Sequence, residues 1–271
     1  MELASDVACR AADLLREGAR SVRTNVETKS TGTDMVTELD RASEELIVGA
    51  LLEARPSDAI LAEESGPRPG ASGVRWVVDP LDGTTNYLYG YPSWSVSIAA
   101  ETDPVSEELA GASVAADVIV GVVVDAAIGD MFTATAGGGA HRNGEPIVCS
   151  TQSDLSKALV ATGFAYSARR RRAQAEVLIE VLPQIRDIRR GGSAAIDLCS
   201  VACGRVDAFF ERGLRWWDLA AGALVAREAG AMLTSLGDTG EPGQGTVVAA
   251  APPIANPLRA LLHTASAKRA P

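Results

Sequence analysis

The sequence predicts an α/β fold in which helices are layered on sheets, and three observations lead there. Two segments with helical spacing of apolar residues open the chain. Short apolar runs with strand-like alternation and glycine-bearing turns follow them. From about residue 150 onward, strands and helices alternate, the rhythm of α/β layering. Hydrophobic residues make up 46% of the 271, enough for a sizeable core, while aromatics at 4% leave the packing to Ala, Val and Leu.

In chain order, Val7, Ala11, Leu14, Leu15 and Ala19 place a helix over Ala4 to Ala19. After the polar stretch "ETKSTGTDMVTELD", a second helix runs from Asp40 to Glu53 on Leu46, Ile47, Ala50 and Leu51. "AILAEES" reads as a short strand ending in acids, "PRPGASG" as a loop, and "VRWVVD" and "SWSVSIAAE" as buried strands. "VIVGVVVDAAIGDMFTATAGGGAHRNGEPI" reads as antiparallel strands joined by tight turns, one at Asn143-Gly144. Then come a strand "ALVATGF", a helix Gln174 to Ile185, a short strand or turn "DIRRGG" and a helix Ser193 to Cys203. A strand "RVDAFFE", a helix Asp218 to Ala229, a strand "TVVAAAP" and a tail helix complete the chain. The change of rhythm divides it into 1–150 and 151–271, with no flexible linker, repeat or low-complexity tract.

Composition narrows the chemistry. A net charge of −10 argues against general nucleic-acid or anionic-membrane binding, and an anionic substrate would need cations as intermediaries. Of the two histidines, His141 lies in "GGGAHRNGEP" and His263 in the tail, so Ser-His-Asp and Cys-His mechanisms are disfavoured. Cys9, Cys149, Cys199 and Cys203 show no C-x-x-C spacing, and Cys199 and Cys203 read as two buried thiols on one helix face. Reduced thiols, a charged N-terminus without a signal-peptide core and no membrane-length apolar run suit the cytoplasm. The arginine cluster Arg169 to Arg172 reads as a solvated helix start.

Three acid clusters stand out: Glu63-Glu64, Asp79 with Asp82, and Asp218 after Trp216-Trp217. Each follows an apolar segment, at the end of a strand or the entry of a helix, where α/β folds open their ligand crevices. Taken singly, each has a plain explanation. Asp79 and Asp82 could form an Asx turn about Pro80 and cap the next helix, Glu63-Glu64 could be solvated, and Asp218 could be an N-cap. Taken together with "GTT", whose backbone N–H groups could meet phosphate, they point to a carboxylate site for Mg²⁺ acting on a phosphate ester.

These residues also carry a family resemblance. "DPLDGTTN" matches the D-P-[IL]-D-G-[ST] signature of the lithium-sensitive, magnesium-dependent phosphomonoesterases, and "DPLDGTTNYLYGYPSWSVSI" resembles inositol monophosphatase in particular. "TDMVTELD", "LAEES" and "GGSAAIDLCSVACGRVDAFFERGLRWWDLAAGALVAREAG" resemble further family elements in consistent order, from about Lys29 to Gly230. The resemblance implies an α-β-α-β-α sandwich of the kind shared with fructose-1,6-bisphosphatase, commonly a homodimer, with two to three Mg²⁺ ions per site. It implies that Glu63, Asp79 and the Leu81 carbonyl hold the first ion, and Asp79, Asp82 and Asp218 the second. Glu63 would help a third, with Glu64 beside the cluster. Asp40 and Thr84 would pair to orient the attacking water, and Gly83 and Thr84 would receive the phosphate. Substrate hydroxyls would meet Asp82, Glu211, Asp218 and the turn Gly192-Ser193-Ala194-Ala195. Leu81 stands where isoleucine is frequent and Tyr87 where phenylalanine is common. The loop around "ETDPVSEELAGASVAAD" is longer than in many relatives.

The expected reaction is direct hydrolysis of myo-inositol monophosphate by metal-activated water, with no phosphoenzyme. Glu211, seven residues before Asp218, favours an inositol ester because a carboxylate there accepts sugar hydroxyls. The same fold serves fructose-1,6-bisphosphate, histidinol phosphate and 3′-phosphoadenosine phosphate, and the fructose bisphosphatase reading stays open because Arg189, Arg190, Arg212 or Arg215 could take a second phosphate. From another class stands a regulatory partner of the transcription machinery, for which the acidic sequence offers no signal.

Overall fold

A computed structural model describes residues 1–21, 26–28, 35–102, 118–237 and 245–267. Most of the long loop after "SWSVSIAAE", together with parts of the polar stretch after the first helix, lies outside them. The apolar stripe of the first segment forms α1 (Glu2–Ser21), and a short pair, β1 (Val26–Thr28) and β2 (Met35–Thr37), leads into α2 (Glu38–Ala54). Eight strands follow: β3 (Ala59–Ala62), β4 (Gly66–Arg68), β5 (Val74–Asp82), β6 (Ser95–Thr102), β7 (Val118–Asp125), β8 (Asp130–Thr135), β9 (Ala140–Arg142) and β10 (Glu145–Ile147). The short α3 (Thr84–Tyr89) stands between β5 and β6. After them come β11 (Leu159–Thr162), α4 (Ala168–Val181), β12 (Asp187–Arg189), α5 (Ala194–Ala202), β13 (Ala208–Arg212), α6 (Trp216–Glu228), β14 (Met232–Leu236), β15 (Thr246–Ala250) and α7 (Pro252–Ala267).

The first sheet has the order β10-β9-β8-β7-β6-β5-β3-β4, and only β3 and β5 in it run parallel. The second has the order β12-β11-β13-β15-β14, with β12, β11 and β13 parallel. Side-chain alternation explains how these two sheets become five layers. On β5 and β6, Trp76, Val78, Val96, Ile98 and Ala100 pack against α1 and α2 with Val7, Leu15, Ile47 and Leu51. Val77 and Ala99 point the other way, into a core shared with α5 and α6. Phe209 of β13 enters that same core from the second sheet, while its neighbours Ala208 and Phe210 face a third core with Val181 of α4 and Leu258 and Leu262 of α7. The layers therefore read α1/α2, sheet, α5/α6, sheet, α4/α7, which is the α-β-α-β-α sandwich expected.

Several boundaries differ from the sequence reading. α4 begins at Ala168 and gives way at Leu182 to a 3₁₀ turn containing Pro183. Arg169, Arg170 and Arg172 in its first turns are exposed, whereas Arg171 donates to the carbonyls of Ala165 and Tyr166. Part of "PRPGASG" pairs as β4, and β14 leaves no mark in the sequence because "MLTSL" lacks clean alternation and none of it is buried. The Asn143-Gly144 turn joins β9 to β10 with both residues at positive φ, 53° and 85°, as a type I′ hairpin demands. Cys199 is buried, but Cys203 only half so.

Candidate active site

Strand β5 carries two of the acids, and Pro80 dictates how. Proline has no N–H for the ladder, so the pairing with β6 breaks between Asp79↔Ser97 and Asp82↔Ser95. A bulge there re-aims side chains at a strand end. The Leu81 N–H donates to Asp79 Oδ1 at 3.1 Å, an Asx turn, while the Pro80 carbonyl accepts from Ser43 of α2 at 3.0 Å. The local turn and the acid site are thus one construction. Parallel pairing sets Ala62 of β3 beside Val78 of β5, and Glu63 N–H donates to the Val78 carbonyl at 3.2 Å. Glu63 is thereby delivered next to Asp79.

A buried residue that the sequence did not single out fixes that delivery. The Glu44 carboxylate, on α2, accepts from the N–H groups of Glu64 at 2.8 Å and Ser65 at 2.7 Å. It clamps the turn that presents Glu63 and Glu64, both half-buried rather than solvated.

Asp82 does not cap the helix that follows it. Gly83 is the N-cap of α3, at φ 92°, and a Cβ there would lie 2.8 Å from the Ser93 carbonyl. The Asp82 carboxylate instead reaches α5: Oδ2 accepts from Ser193 Oγ at 2.6 Å and from Ala195 N–H at 2.8 Å. Since the Ser193 proton is used there, the 3.1 Å contact with Ser95 has Ser95 donating. Asn86, also unremarked in the sequence, donates to the carbonyls of Ser93 at 2.6 Å and Gly191 at 2.9 Å, drawing the turn before α5 against α3. Tyr87, where phenylalanine is common, donates its hydroxyl to the Leu15 carbonyl at 2.9 Å and stacks edge-on to Trp94.

Asp218 sits in the first turn of α6, not at its cap, and accepts from the Arg215 N–H at 2.6 Å. The start of α6 is tied to the first sheet by Trp216, whose indole donates to Glu101 of β6 at 2.9 Å. The buried Glu101 carboxylate is held in turn by Arg75 of β5. The Thr84 hydroxyl donates to the Leu81 carbonyl at 3.0 Å. Its single proton is committed there, so Thr84 does not donate to Asp40. Thr85 Oγ1 is buried with no hydrogen-bond partner among the described residues.

Mutual repulsion shows that these acids converge. Burial first, then the charges of Glu63, Asp82, Asp218 and Asp40, push Asp79 well above the ordinary carboxylate range. Asp218 is raised likewise by burial, Asp82 and Glu63. Asp82 is pushed up by burial only to about 6, because Ser193, the Ala195 amide and Arg190 favour its charge. Glu211 is raised to about 8 by burial and by Asp197 and Asp82, which rules out a plain surface acid. Asp197, in the first turn of α5, is raised to about 8 by burial and by Asp82 and was not foreseen.

An all-oxygen donor set of this charge fits a hard divalent cation. Asp79, Asp82 and Asp218 each give an oxygen to a main-chain N–H, which orients the carboxylate. Among the described residues no three such side chains are set together as a ready-made cation site.

The raised pKa values set a pH dependence. A carboxyl with a folded pKa above its unfolded one contributes stability that is complete below the unfolded value and is lost as pH rises through the folded one. For Asp82, Asp197 and Glu211 the loss spans about pH 4 to 8. Asp58 and Asp130, held low by arginine partners, act only at more acid pH. In chelator, the melting temperature should therefore fall between pH 5 and pH 8, and Asp218→Asn should flatten that slope. A flat wild-type profile would refute the buried-carboxylate account.

The inositol monophosphatase family model matches residues 1–269. An inositol-1-monophosphatase of Mycobacterium leprae is 45% identical, over 97% of this chain and 90% of that protein. A protein of Pasteurella multocida named Nus factor SuhB is 41% identical, over 83% of this chain and 81% of its own. Among solved structures, the extragenic suppressor protein suhB of Bartonella henselae superposes with a TM-score of 0.86 at 33% identity, covering 97% of both chains. With the signature acids gathered in one place and the family model spanning nearly every residue, the chain belongs to the inositol monophosphatase family.

Proposed function

We propose that this chain hydrolyses myo-inositol monophosphate to myo-inositol and phosphate in the presence of Mg²⁺, by direct attack of water. The observation that carries it is the convergence of Glu63, Asp79, Asp82 and Asp218, drawn from β3, β5 and α6, on one buried spot beside the start of α3. The family is generally metal-dependent. Bound here, Mg²⁺ would supply the positive charge that neutralises the phosphate and acidifies water. Glu63, Asp79 and the Leu81 carbonyl would hold one ion; Asp79, Asp82 and Asp218 would hold a second; Glu63 would assist a third. The Leu81 carbonyl has two lone pairs, so the bond from Thr84 leaves one for a cation.

The chain's own groups position the reactants. Asp40, buried at 1% exposure, contributes to the field at Asp79 and would accept a proton from the attacking water. Thr84 Oγ1, its proton given away, offers that water a lone pair. Gly83 turns its N–H to Asp82, so the first-turn N–H of Thr84 and the Thr85 hydroxyl, which has no partner among the described residues, would be the donors for phosphate oxygens. The ring hydroxyls would meet Asp82, Asp218, Glu211 and the turn at Gly192-Ser193-Ala194-Ala195. A homodimer and a cytoplasmic location go with this proposal through the family resemblance. Among the described residues no helix is long and apolar enough to cross a membrane.

A second function has one specific support: several relatives are named Nus factor SuhB. Under it the chain would also bind the transcription machinery. A pull-down of RNA polymerase with the catalytically dead variant should capture it; an empty pull-down at stoichiometric concentrations would remove this second role.

Three experiments test the main proposal and its metal site. Phosphate release from myo-inositol 1-phosphate, with the fructose, histidinol and adenosine esters alongside, should depend on Mg²⁺ and vanish in EDTA. Asp79→Asn should abolish turnover while leaving the fold intact, and near-normal turnover in it would sink the assignment. Glu44→Ala frees the turn that holds Glu63, and its Mg²⁺ affinity, read by calorimetry, should drop about 10- to 100-fold, as for other residues that orient ligands. An unchanged affinity would mean that Glu44 merely packs.

A further inference from the structure

The parallel strands β11 and β13 end level with each other. Thr162 stands in register with Phe210, and the Thr162 hydroxyl donates to the Phe210 carbonyl at 2.7 Å. One residue further on, the two chains carry Gly163 and Glu211. A Cβ built on Gly163 would lie 2.0 Å from Glu211 Oε2, 2.2 Å from Cδ and 2.3 Å from Oε1. The whole carboxylate therefore occupies the volume that any side chain at 163 would take.

Backbone geometry does not call for glycine here, because Gly163 lies outside the positive-φ region where glycine is favoured. Nor can the backbones part easily. The Thr162 hydroxyl bond pins one side, and Glu211 is paired on its other side with Val247 of β15. What can yield is the Glu211 side chain. Gly163 and Glu211 both line a cavity of about 470 Å³ together with Gln174, Leu178 and Phe210, and this gives a displaced carboxylate room to swing into.

We propose that Gly163 is a specificity-determining position: by carrying no side chain, it holds the Glu211 carboxylate where that group reads the ring hydroxyls of the substrate. The inference rests on the role given to Glu211 above. Gly163 touches no reacting atom, so it is a positioning residue, and its effect belongs to recognition of the alcohol half of the ester rather than to phosphate chemistry.

The test compares Gly163→Ala, Glu211→Gln and wild type on myo-inositol 1-phosphate and on p-nitrophenyl phosphate, which has no ring hydroxyls. Gly163→Ala should raise KM for the inositol ester about tenfold with little change in kcat, the pattern of lost uniform binding. Both constants for p-nitrophenyl phosphate should stay as in wild type. Glu211→Gln should reproduce that selective loss. In a Glu211→Asp background, whose shorter acid clears the new methyl, adding Gly163→Ala should cost much less. If Glu211→Gln shows the loss and Gly163→Ala does not, the role of Gly163 is overturned and that of Glu211 stands. If Glu211→Gln leaves the inositol ester unaffected, Glu211 reads no hydroxyl and both claims fall. Equal damage to both esters would mark a general disturbance and overturn the specificity claim. Should Gly163→Ala fail to fold, Gly163→Ala/Glu211→Ala should fold again, and its failure to do so would show that the carboxylate is not what the methyl meets.

Discussion

The bond from the start of α5 to the Asp82 carboxylate is the joint on which the molecule's organisation depends. Asp82 ends β5 of the first sheet, whereas Ser193 and Ala195 lie 111 and 113 residues further on, in the layer between the sheets. Holding them together requires that α5 aim its N-terminus at the end of β5. Ser95 of β6 and Asn86 of α3 brace the same junction from either side. α6 packs beside α5 in that layer and brings its own first turn, with Asp218, to the same place. Two helix N-termini thus face a cluster of buried carboxylates, the end of a helix that favours negative charge.

That help is incomplete by design of the sequence. Charge at Asp82 is favoured by three donors and Arg190 and still costs enough to raise its pKa to about 6. Among the described residues Asp79 has the Leu81 amide and Asp218 the Arg215 amide, against several like charges, and both are pushed well higher. A helix terminus contributes on the order of 1 kcal/mol, whereas burying an unpaired carboxylate costs several. The deficit is what a divalent cation would cover, and it explains why the fold accepts a cluster that by itself destabilises it. The surrounding clamps on Glu44 and Glu101 are neutralised internally, by main-chain N–H groups and by Arg75 with Trp216, so they hold position whether or not the cluster is charged.

The sequence announced the elements that bury themselves by period: "WVV", the two N-terminal helices and the strands around the Asn143-Gly144 turn were legible because alternation and turn chemistry are local. The signature acids were legible because they cluster within a few residues. What escaped was non-local. Glu44 reads as one more acid on an amphipathic helix until its partners, 20 and 21 residues away, are brought to it. Asp197 and Asn86 reveal themselves only through what the fold sets beside them. Asp82 was identified as a site residue, but its obvious local role, capping α3, was the wrong one, since the helix it serves is distant in sequence. β14 escaped for a different reason, as an edge strand half-exposed on both faces carries no pattern to read.

The layered arrangement also separates two tasks in space. Asp79 and Glu63 are fixed by the bulge at Pro80, by the parallel pairing of β3 with β5 and by the Glu44 clamp, all within the first sheet and α2, while Asp82 and Asp218 are held from the layer of α5 and α6. Glu211 is fixed by the second sheet, through the register of β13 with β11 and β15. The two are coupled through space by the charges that Asp197 and Asp82 exert on Glu211. Under the function proposed above, a change confined to the ends of β11 and β13 would alter which alcohol is accepted without disturbing the groups proposed to meet the phosphate. One fold can then carry a constant phosphoryl chemistry under a variable recognition surface. On that proposal the surface would be set by Glu211, an acid raised to about 8 that lies against a glycine leaving it room.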